Sequence, residues 1–352
     1  EELFAMADRI LLMENGMLKY DGSSREVIFS VFENDDTSFL PYIPSIAKLY
    51  LERAEQPTEE NIPLTVKECR KWFSTLPKVE HIREKKPRMV SHEEILALKN
   101  IYFQYEKKGS LVLKNLSLTI KKGDYFVLVG GNGSGKTTVL KIAIGIEKPQ
   151  RGSVRLFGKA MNKLKNKEKF GQLAYLPQNP RALFVHDTIE KEMRETIERL
   201  QLTNGEKRLH EVLERLQIAH LRDRHPYDCS GGELQKAALA CLLLSNPTVL
   251  FIDEPTKGLD PISKQQLAHM LKELHQDGVT IVMVTHDIEF AAANAKRCAM
   301  MFNGMVTVEG TPEQLFKGNY FYTTSVNRAT RGSVDLLTIE EATQQWSAPI
   351  VI

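Results

Sequence analysis

The chain of 352 residues has no apolar run that approaches the roughly 20 residues of a membrane-spanning helix. If the protein acts at a membrane, we therefore expect another chain to supply the membrane-embedded part. Its four cysteines are scattered and form no C-x-x-C pair, so the sequence predicts neither a zinc site nor a disulfide framework. A net charge of only +2 gives no sign of a nucleic-acid surface, and we expect no nucleic-acid partner.

Residues 130–137 follow the pattern G-x-x-x-x-G-K-[ST] of a phosphate-binding loop. The apolar run before them is typical of a strand, and Thr138 to Ile146 has the pattern of a helix. Backbone amides of such a loop and the helix N-terminus attract phosphate oxygens. Lys136 can reach the terminal phosphates, and the Thr137 hydroxyl suits Mg²⁺. The expected nucleotide-binding residues of this loop are Gly130, Asn132, Gly133, Ser134, Gly135, Lys136, Thr137 and Thr138.

A second buried-strand pattern, Thr248 to Ile252, ends in Asp253 and Glu254. Carboxylates at the carboxyl end of a parallel strand lie in the crevice where such sheets bind ligands. We expect Asp253 to hold Mg²⁺ and Glu254 to polarise a water that attacks the γ-phosphate. The alternative, an acidic pair that merely opens a loop, is disfavoured by the phosphate-binding loop upstream.

A candidate for a second anion site is the run Cys229 to Glu233, which precedes the helical pattern Leu234 to Leu244. Small residues at a helix start can bind anions. Ser230 and Glu233 also fit an ordinary capping box, so the run alone leaves both interpretations open.

Three isolated residues indicate a nucleotide site only when they are considered together. Tyr105 could stack on an adenine, Gln178 could coordinate Mg²⁺ or position water, and His286 ends a strand at the crevice. Each of them taken alone would more often be a core or loop residue.

In this order the motifs resemble those of the ATP-binding cassette (ABC) ATPases over roughly residues 93–320. The implied fold is α/β, a P-loop NTPase of ABC type. It has a mixed β-sheet core, an α-helical subdomain inserted at about residues 179–232 and an antiparallel β subdomain. The resemblance identifies Gly130 to Thr137 as Walker A, Thr248 to Asp253 as Walker B, Cys229 to Glu233 as the signature, Tyr105 as the adenine-stacking residue, Gln178 as the Q-loop glutamine, Glu254 as the catalytic glutamate, Asp260 as the D-loop aspartate and His286 as the switch histidine.

The resemblance also implies a mechanism, which is ATP hydrolysis with Mg²⁺ held by Thr137, Gln178 and Asp253. Two cassettes would face each other head to tail and share each nucleotide. Glu254 would activate the water, His286 would hold its geometry, and Lys136 would stabilise the transferring charge. The signature residues Ser230, Gly231, Gly232 and Glu233 would act on the nucleotide of the opposite cassette.

The first 22 residues recur later in the chain. Glu1 to Gly22 aligns without a gap with Glu289 to Gly310, with nine identities where chance predicts about one or two. Because the second copy begins three residues after His286, we expect residues 1–34 to be the C-terminal remnant of a preceding cassette. The chain would then be the C-terminal part of a tandem protein. The alternative is that two helix-then-hairpin units converged on Asn-Gly turns.

The rest of the chain divides into three predicted segments. Residues 35–92 are punctuated by proline and form a linker, with short helices at Ile46 to Arg53 and Thr65 to Leu76. Residues 93–320 form the complete cassette, and residues 321–352 form a C-terminal extension.

Several stretches resemble the energy-coupling factor (ECF) ATPases of prokaryotic vitamin and metal-ion importers: Pro177 to Phe184, Asp253 to Asp260 and Phe321 to Arg328. The segment Pro63 to Trp72 resembles their tandem-fused subgroup. The implied partners are an integral membrane scaffold, a substrate-binding membrane subunit and a second cassette, either the missing N-terminal half or a second copy. The protein would lie at the cytoplasmic face of the membrane. The ATPase does not specify the substrate, and a thiamine-type vitamin or its precursor is a guess.

Three other functions fit the sequence less well than that of an importer ATPase. Soluble tandem cassettes that act on ribosomes resemble one another in an Asn-His pair before the D-loop, where this chain has Lys257 and Gly258. DNA-repair and chromosome-structuring ATPases carry coiled coils or zinc inserts, which this sequence does not show. A nucleotide-binding regulator without turnover is disfavoured, because Lys136, Glu254 and His286 are intact.

Overall fold

A computed structural model describes residues 2–76, 93–164 and 171–345. The chain divides into two compact units, the first made of Glu1–Pro87 and Phe316–Ile352 and the second of Arg88–Leu315. The end of the predicted linker, residues 77–92, and the end of the predicted extension, residues 346–352, lie outside the described residues. No helix among the described residues is long and apolar enough to cross a membrane.

The elements are numbered in chain order over the described residues. The strands are β1 (Ile10–Glu14), β2 (Met17–Gly22), β3 (Glu94–Phe103), β4 (Leu113–Lys121), β5 (Tyr125–Gly130), β6 (Arg151–Leu156), β7 (Lys159–Ala160), β8 (Leu173–Leu176), β9 (Val249–Asp253), β10 (Thr280–Thr285), β11 (Arg297–Phe302) and β12 (Met305–Gly310). The α-helices are α1 (Glu2–Met6), α2 (Ser24–Glu33), α3 (Ser45–Arg53), α4 (Val66–Phe73), α5 (Lys136–Ala143), α6 (Ile189–Leu200), α7 (Gly205–Arg215), α8 (Gly231–Leu243), α9 (Pro261–Gln276), α10 (Ile288–Asn294), α11 (Pro312–Phe316), α12 (Ser325–Thr330) and α13 (Ile339–Gln345). Short 3₁₀ helices are Leu40–Tyr42, Glu59–Asn61, Met161–Lys163, Pro180–Leu183, Ala219–Leu221 and Pro226–Asp228.

The second unit is built on two sheets. A six-stranded sheet has the order β12-β11-β5-β10-β9-β8 and is parallel except for β12, which pairs antiparallel with β11. Every residue of β5, β9 and β10 is buried, as expected for parallel strands covered on both faces. A four-stranded antiparallel sheet has the order β4-β3-β6-β7. The predicted α/β fold with a mixed core sheet and an antiparallel β subdomain is confirmed.

Two amphipathic helices, α6 and α7, follow β8 and form the centre of the inserted helical segment. Thr188 caps α6 by accepting a hydrogen bond from the Lys191 backbone amide at 3.3 Å. The helix stops where Gln201 takes a left-handed conformation at φ 52°. Helix α8 returns the chain to β9, whose carboxyl end carries Asp253.

The first unit combines the N-terminal residues with the C-terminal helices. Its β1–β2 hairpin is a two-stranded sheet. The buried side chains of one apolar core come from residues 27–62 and include Val31, Tyr50 and Leu51, and Trp72 of α4 is among the partly buried side chains that pack against it. A second core joins α3 and α4 to α12 and α13. Both helices predicted in the linker, α3 and α4, are present, and α12 and α13 lie in the predicted extension.

The two hairpins of the sequence repeat have the same register. Leu12 pairs with Tyr20 and Met13 with Leu18, with a register shift between the two pairs. The corresponding pairs of β11 and β12 carry the same shift between Met300 and Met301. The turn residues Asn15 and Asn303 both have positive φ, of 50° and 46°, as the predicted Asn-Gly turns require.

Candidate nucleotide-binding and catalytic site

The phosphate-binding loop joins β5 to α5 at the carboxyl edge of the six-stranded sheet. Gly133 and Gly135 have φ of 76° and 102°, a region that favours glycine. At Gly130 a Cβ atom would lie 2.4 Å from the Met301 carbonyl oxygen, so a larger residue does not fit. Because Gly135 is the left-handed N-cap, α5 begins at Lys136, slightly before the predicted Thr138.

The Lys136 ammonium group is buried inside the loop. Its Nζ donates hydrogen bonds to the carbonyl oxygens of Gly130 at 2.9 Å and Gly131 at 3.2 Å. It also lies 3.2 Å from Oε1 of Glu254, and both side chains are almost fully buried. The lysine side chain thus lies inside the loop, between two of its carbonyl oxygens and the Glu254 carboxylate.

Thr137 and Asp253 form the oxygen-rich part of the site. The Thr137 hydroxyl donates to Oδ1 of Asp253 at 3.0 Å, and the Tyr175 hydroxyl donates to Oδ2 at 3.3 Å. Burial raises the pKa of the Asp253 carboxyl, and hydrogen bonds from Thr137 and Tyr175 oppose that shift. A hydroxyl beside a carboxylate is the oxygen donor set that Mg²⁺ prefers. The sequence analysis missed Tyr175, because its contact with Asp253 arises only from the pairing of β8 with β9.

Glu254 connects the loop lysine to His286. Its Oε2 accepts hydrogen bonds from the His286 backbone amide at 3.1 Å, and it lies 2.7 Å from the His286 ring Nδ1. Glu254 has a positive φ of 48°, and its amide donates to the Val284 carbonyl oxygen at 2.9 Å. A strained backbone at a non-glycine residue is common where a side chain is held for function. The carboxylate is thus fixed between two cationic or polar partners at the strand ends.

The remaining predicted nucleotide contacts surround the loop. The Tyr105 ring is 56% exposed, its hydroxyl lies 3.0 Å from Oγ1 of Thr138, and it packs edge-on against Phe103. Ser134 Oγ is buried without a hydrogen-bond partner among the described residues, which suits an atom that receives a ligand. Asn132 is exposed at the loop tip.

Gln178 is exposed two residues after the end of β8. Because β8 and β9 are adjacent and parallel, Gln178 lies at the same sheet edge as Asp253. The role of Gln178 as a Mg²⁺ ligand stays a prediction, which its place at this edge supports.

The signature run lies at a different helix start. Ser230 caps α8, and its amide donates to Glu233 while the Glu233 amide donates to Ser230 Oγ, which completes a capping box. At Gly232 a Cβ atom would lie 2.5 Å from Oγ of Ser263, and Gly231 faces the carbonyl oxygen of Gly258.

The D-loop aspartate, Asp260, caps α9 by accepting from the Ser263 amide at 2.9 Å. The signature therefore packs on the D-loop and α9, whereas the loop of residues 130–137 contacts β9 and β11. Within one cassette the structure does not bring these two motifs together.

Comparison with known proteins places these motifs in a family. The sequence profile of ABC transporters matches residues 113–257. An energy-coupling factor transporter ATP-binding protein, EcfA1 of Geobacillus kaustophilus, is 33% identical over 231 residues, which cover 64% of this chain and 81% of that protein. The chain belongs to the ATP-binding proteins of ABC transporters. Its second unit is accordingly an ABC-type ATPase domain.

Other relatives show the extent of the likeness. A putative ABC transporter ATP-binding protein of Bacillus cereus is 40% identical over 331 residues, which cover 94% of this chain. The chain spans 59% of the length of that relative. The solved structure of cbiO1 from Clostridium perfringens, described as part of the ABC transporter complex cbiONQ, superposes with a TM-score of 0.59 at 27% identity. It covers 68% of this chain and 95% of that protein. These matches are transporter proteins and give no support to the ribosome-bound alternative.

Proposed function

We propose that the chain is the ATP-hydrolysing part of a subunit that powers a membrane transporter, and that it is the C-terminal part of a two-cassette protein. The observation that carries the first half is the contact of both Lys136 and His286 with Glu254, beside the Thr137–Asp253 pair. These three contacts occur in a chain that belongs to the ABC family.

ATP would bind with its phosphates in the loop of residues 130–137. The ammonium of Lys136 would exchange its contacts with loop carbonyls and Glu254 for phosphate oxygens, which together carry more negative charge than one carboxylate and two neutral carbonyls. Ser134 Oγ would gain a partner that it lacks among the described residues. The half-exposed ring of Tyr105 would stack on the adenine.

Thr137 and Asp253 would hold Mg²⁺, with Gln178 completing the donor set from the neighbouring strand end. When bound, the ion neutralises charge on the phosphate oxygens. The oxygen-only character of the Thr137–Asp253 pair supports this assignment.

Glu254 would act as the general base that polarises the attacking water. Its release from Lys136 on nucleotide binding would leave the carboxylate held by His286, which fixes its direction. A second cassette would supply its own equivalents of Ser230 and Gly232 to the γ-phosphate, since this cassette's signature lies on another helix start.

The second half of the proposal rests on the β1–β2 hairpin. It repeats the β11–β12 register, yet β11 also pairs in parallel with β5, whereas among the described strands β1 pairs with β2 alone. Leu11 and Met13 of β1 are 55% and 61% exposed. A strand of a preceding cassette core would cover them, in the register that β5 takes beside β11.

The transporter would be an importer of the energy-coupling factor type, for a vitamin or a metal ion, acting at the cytoplasmic face of the membrane. This finer assignment is supported by the likeness to EcfA1 and by the stretches quoted from the sequence. Its partners would be a membrane scaffold and a membrane subunit that binds the substrate. A thiamine-type vitamin is the first substrate to assay.

Affinity purification of the native protein from detergent-solubilised membranes, followed by mass spectrometry, tests the transport assignment. We expect small, very hydrophobic proteins to copurify, and a vitamin or metal released from them would name the substrate. Ribosomal proteins or nucleic acid in their place would overturn it and leave the ATPase chemistry standing.

Hydrogen exchange tests the tandem assignment separately. In a polypeptide that carries the upstream cassette, amides of β1 should exchange slowly, and in the present chain they should exchange fast. The amides of β11 serve as the internal control, because β5 and β12 flank β11 in both proteins. Equally fast exchange of β1 in the longer polypeptide would contradict a preceding cassette.

A further inference from the structure

The sequence repeat continues beyond the hairpins into the helices that follow them. After β2, the Ser23 amide donates to Glu26 at 2.7 Å and the Glu26 amide donates to Ser23 at 3.3 Å. After β12, Thr311 and Gln314 exchange the corresponding bonds at 2.9 and 3.3 Å. Both hairpins therefore lead into a helix through the same capping box.

The last helix of each copy begins in the same way. Glu68 accepts from the Leu64 amide, and its own amide donates to the Thr65 hydroxyl. At the other end of the chain, Glu341 accepts from the Leu337 amide and donates to the Thr338 hydroxyl.

A cation also pairs with each of these two glutamates. Arg25 contacts Glu68 at 3.2 Å, and Lys317 contacts Glu341 at 2.9 Å. Helices α3 and α4 thus form one helical module, and α12 and α13 form a second module of the same construction.

The two modules pack against each other in a twofold pattern. The equivalent helices α3 and α12 contact each other, and each also contacts the last helix of the other module, α12 with α4 and α3 with α13. This reciprocity is the mark of an isologous interface, in which each partner uses the same surface.

The shared core of the two modules has the same twofold character. Counted from the first residue of each helix, Ile46 of α3 corresponds to Val326 of α12, and Leu49 corresponds to Ala329. All four side chains are nearly fully buried in this one core. Cys69 and Ala342, at equivalent positions of the last helices, lie in it as well. The Arg70 side chain of the first module donates a hydrogen bond to the Arg328 carbonyl oxygen of the second module.

We propose that this helical module is a pairing module of the cassette, and that residues 45–73 occupy the pairing surface of the module at residues 325–345. This pairing of the two modules would hold the complete cassette to the end of the cassette that precedes it, whether or not nucleotide is bound. A second copy of the chain would find this surface already covered. The biological meaning rests on the proposed tandem arrangement, but the pairing itself does not.

A cleavable version of the full chain tests the pairing. A protease site is placed between residues 77 and 87, and the folded protein is cut. We expect the two pieces to elute together in size-exclusion chromatography. Immediate separation of the pieces from the unmutated protein would overturn the proposal.

Two neighbouring leucines of α3 provide a matched pair of variants. Leu49 lies in the core shared by the modules, whereas Leu51 lies in a core whose side chains all come from the N-terminal piece. In the cut protein, Leu49→Ala should raise the dissociation constant of the two pieces by roughly a hundredfold. Leu51→Ala should lower the melting temperature but leave that constant within about threefold. Equal effects of both variants on the dissociation constant would contradict the pairing surface.

A substitution in the module at residues 325–345 gives a second test. Ala329 is buried in the same core, so Ala329→Asp should also release the pieces. Co-elution of the cut Ala329→Asp protein at the unmutated affinity would count against the proposal. If the transport assignment were wrong, all these elution results would stay the same, so each proposal can be contradicted independently of the other.

Discussion

The two hairpins of this chain have the same local structure in different surroundings. Both turn at Asn-Gly and carry the same register shift. Met301 of β11 is 1% exposed, whereas Met13, at the same place in β1, is 61% exposed. Sequence copies therefore specify the hairpin itself, but its burial depends on the surrounding core, which in the second copy includes β5 and the phosphate loop.

The turns show the same difference. A Cβ atom at Gly304 would lie 2.4 Å from the carbonyl oxygen of Val112, while no atom of the described residues lies within 4 Å of such an atom at Gly16. Both glycines have positive φ, near 80°, so the turn alone explains both. Only the second copy has the close neighbour that a cassette core supplies.

The largest expected effect is in the catalytic cluster, which only the second copy adjoins. Glu254→Gln should lower the ATP turnover rate on the order of 10²–10⁴-fold, because a general base is lost. The dissociation constant for ATP should stay within about threefold. Phosphate release and binding of a fluorescent nucleotide measure the two quantities. Glu33→Gln, at an exposed site in the first copy, is the control and should change neither. Undiminished turnover in Glu254→Gln would remove the role assigned to Glu254.

The next comparison uses the arginine that both copies share. Arg297 donates to the Thr119 carbonyl oxygen, pairs with the buried Asp124 and stacks on Phe126. Arg297→Ala should destabilise the second unit by about 3–5 kcal/mol, since Asp124 would lose its charged partner.

Arg9 is the matched site, because its ion pair with Asp21 is exposed. Arg9→Ala should leave the unfolding midpoint unchanged. Calorimetry of both variants gives the result, and equal losses would mean that the two hairpins have equivalent surroundings after all.

A smaller difference is expected for the methionines. Met301→Ala removes a buried side chain from the main core and should cost about 2–5 kcal/mol of unfolding free energy. Met13→Ala changes an exposed side chain and should alter stability by at most about 0.5 kcal/mol. In the longer polypeptide proposed here, Met13→Ala should become as costly as Met301→Ala. Denaturant titration of both variants in the present chain and in the longer polypeptide measures these losses. An equally small effect of Met13→Ala in the longer polypeptide would argue against a covering strand.

The smallest effect lies outside both copies and serves as a reference. The hydrogen bond from Arg222 lowers the pKa of Glu190 to about 2, with Arg194 assisting. A carboxyl group whose pKa is lower in the folded protein stabilises the fold at pH values above its ordinary pKa of 4.5. This contribution is lost as the pH falls toward 2.

Both arginines of this network are more than a third exposed, so we expect about 1 kcal/mol or less. The difference in melting temperature between the protein and Glu190→Gln should shrink between pH 6 and pH 3. A difference that stays constant over that range would rule out the ion pairs as its source.

Local signals in the sequence predicted much of the cassette. The phosphate loop, the acidic strand end and the linker helices follow from residue patterns that act over a few positions. Thr65, taken as the first residue of a helix, is instead its N-cap, a shift of one position. The Tyr175–Asp253 contact could not be predicted, because it depends on β8 and β9 being neighbours in the sheet.

The pairing of the two helical modules was also beyond the sequence patterns. It joins residues far apart in the chain, and the helices of the second module are shorter than those of the first. The repeat was visible in the hairpins because nine identities survive there. In the helical modules the likeness persists mainly in the caps, such as Thr65 with Glu68 and Thr338 with Glu341.

In the mechanism proposed here, this chain holds one complete ATPase cassette, and the signature of another cassette completes its site. The most direct measurement is the ATP turnover rate per chain over a wide range of chain concentration. We expect turnover per chain to rise with concentration, because active sites form only when two cassettes meet. A rate per chain that stays constant down to nanomolar concentration would contradict it.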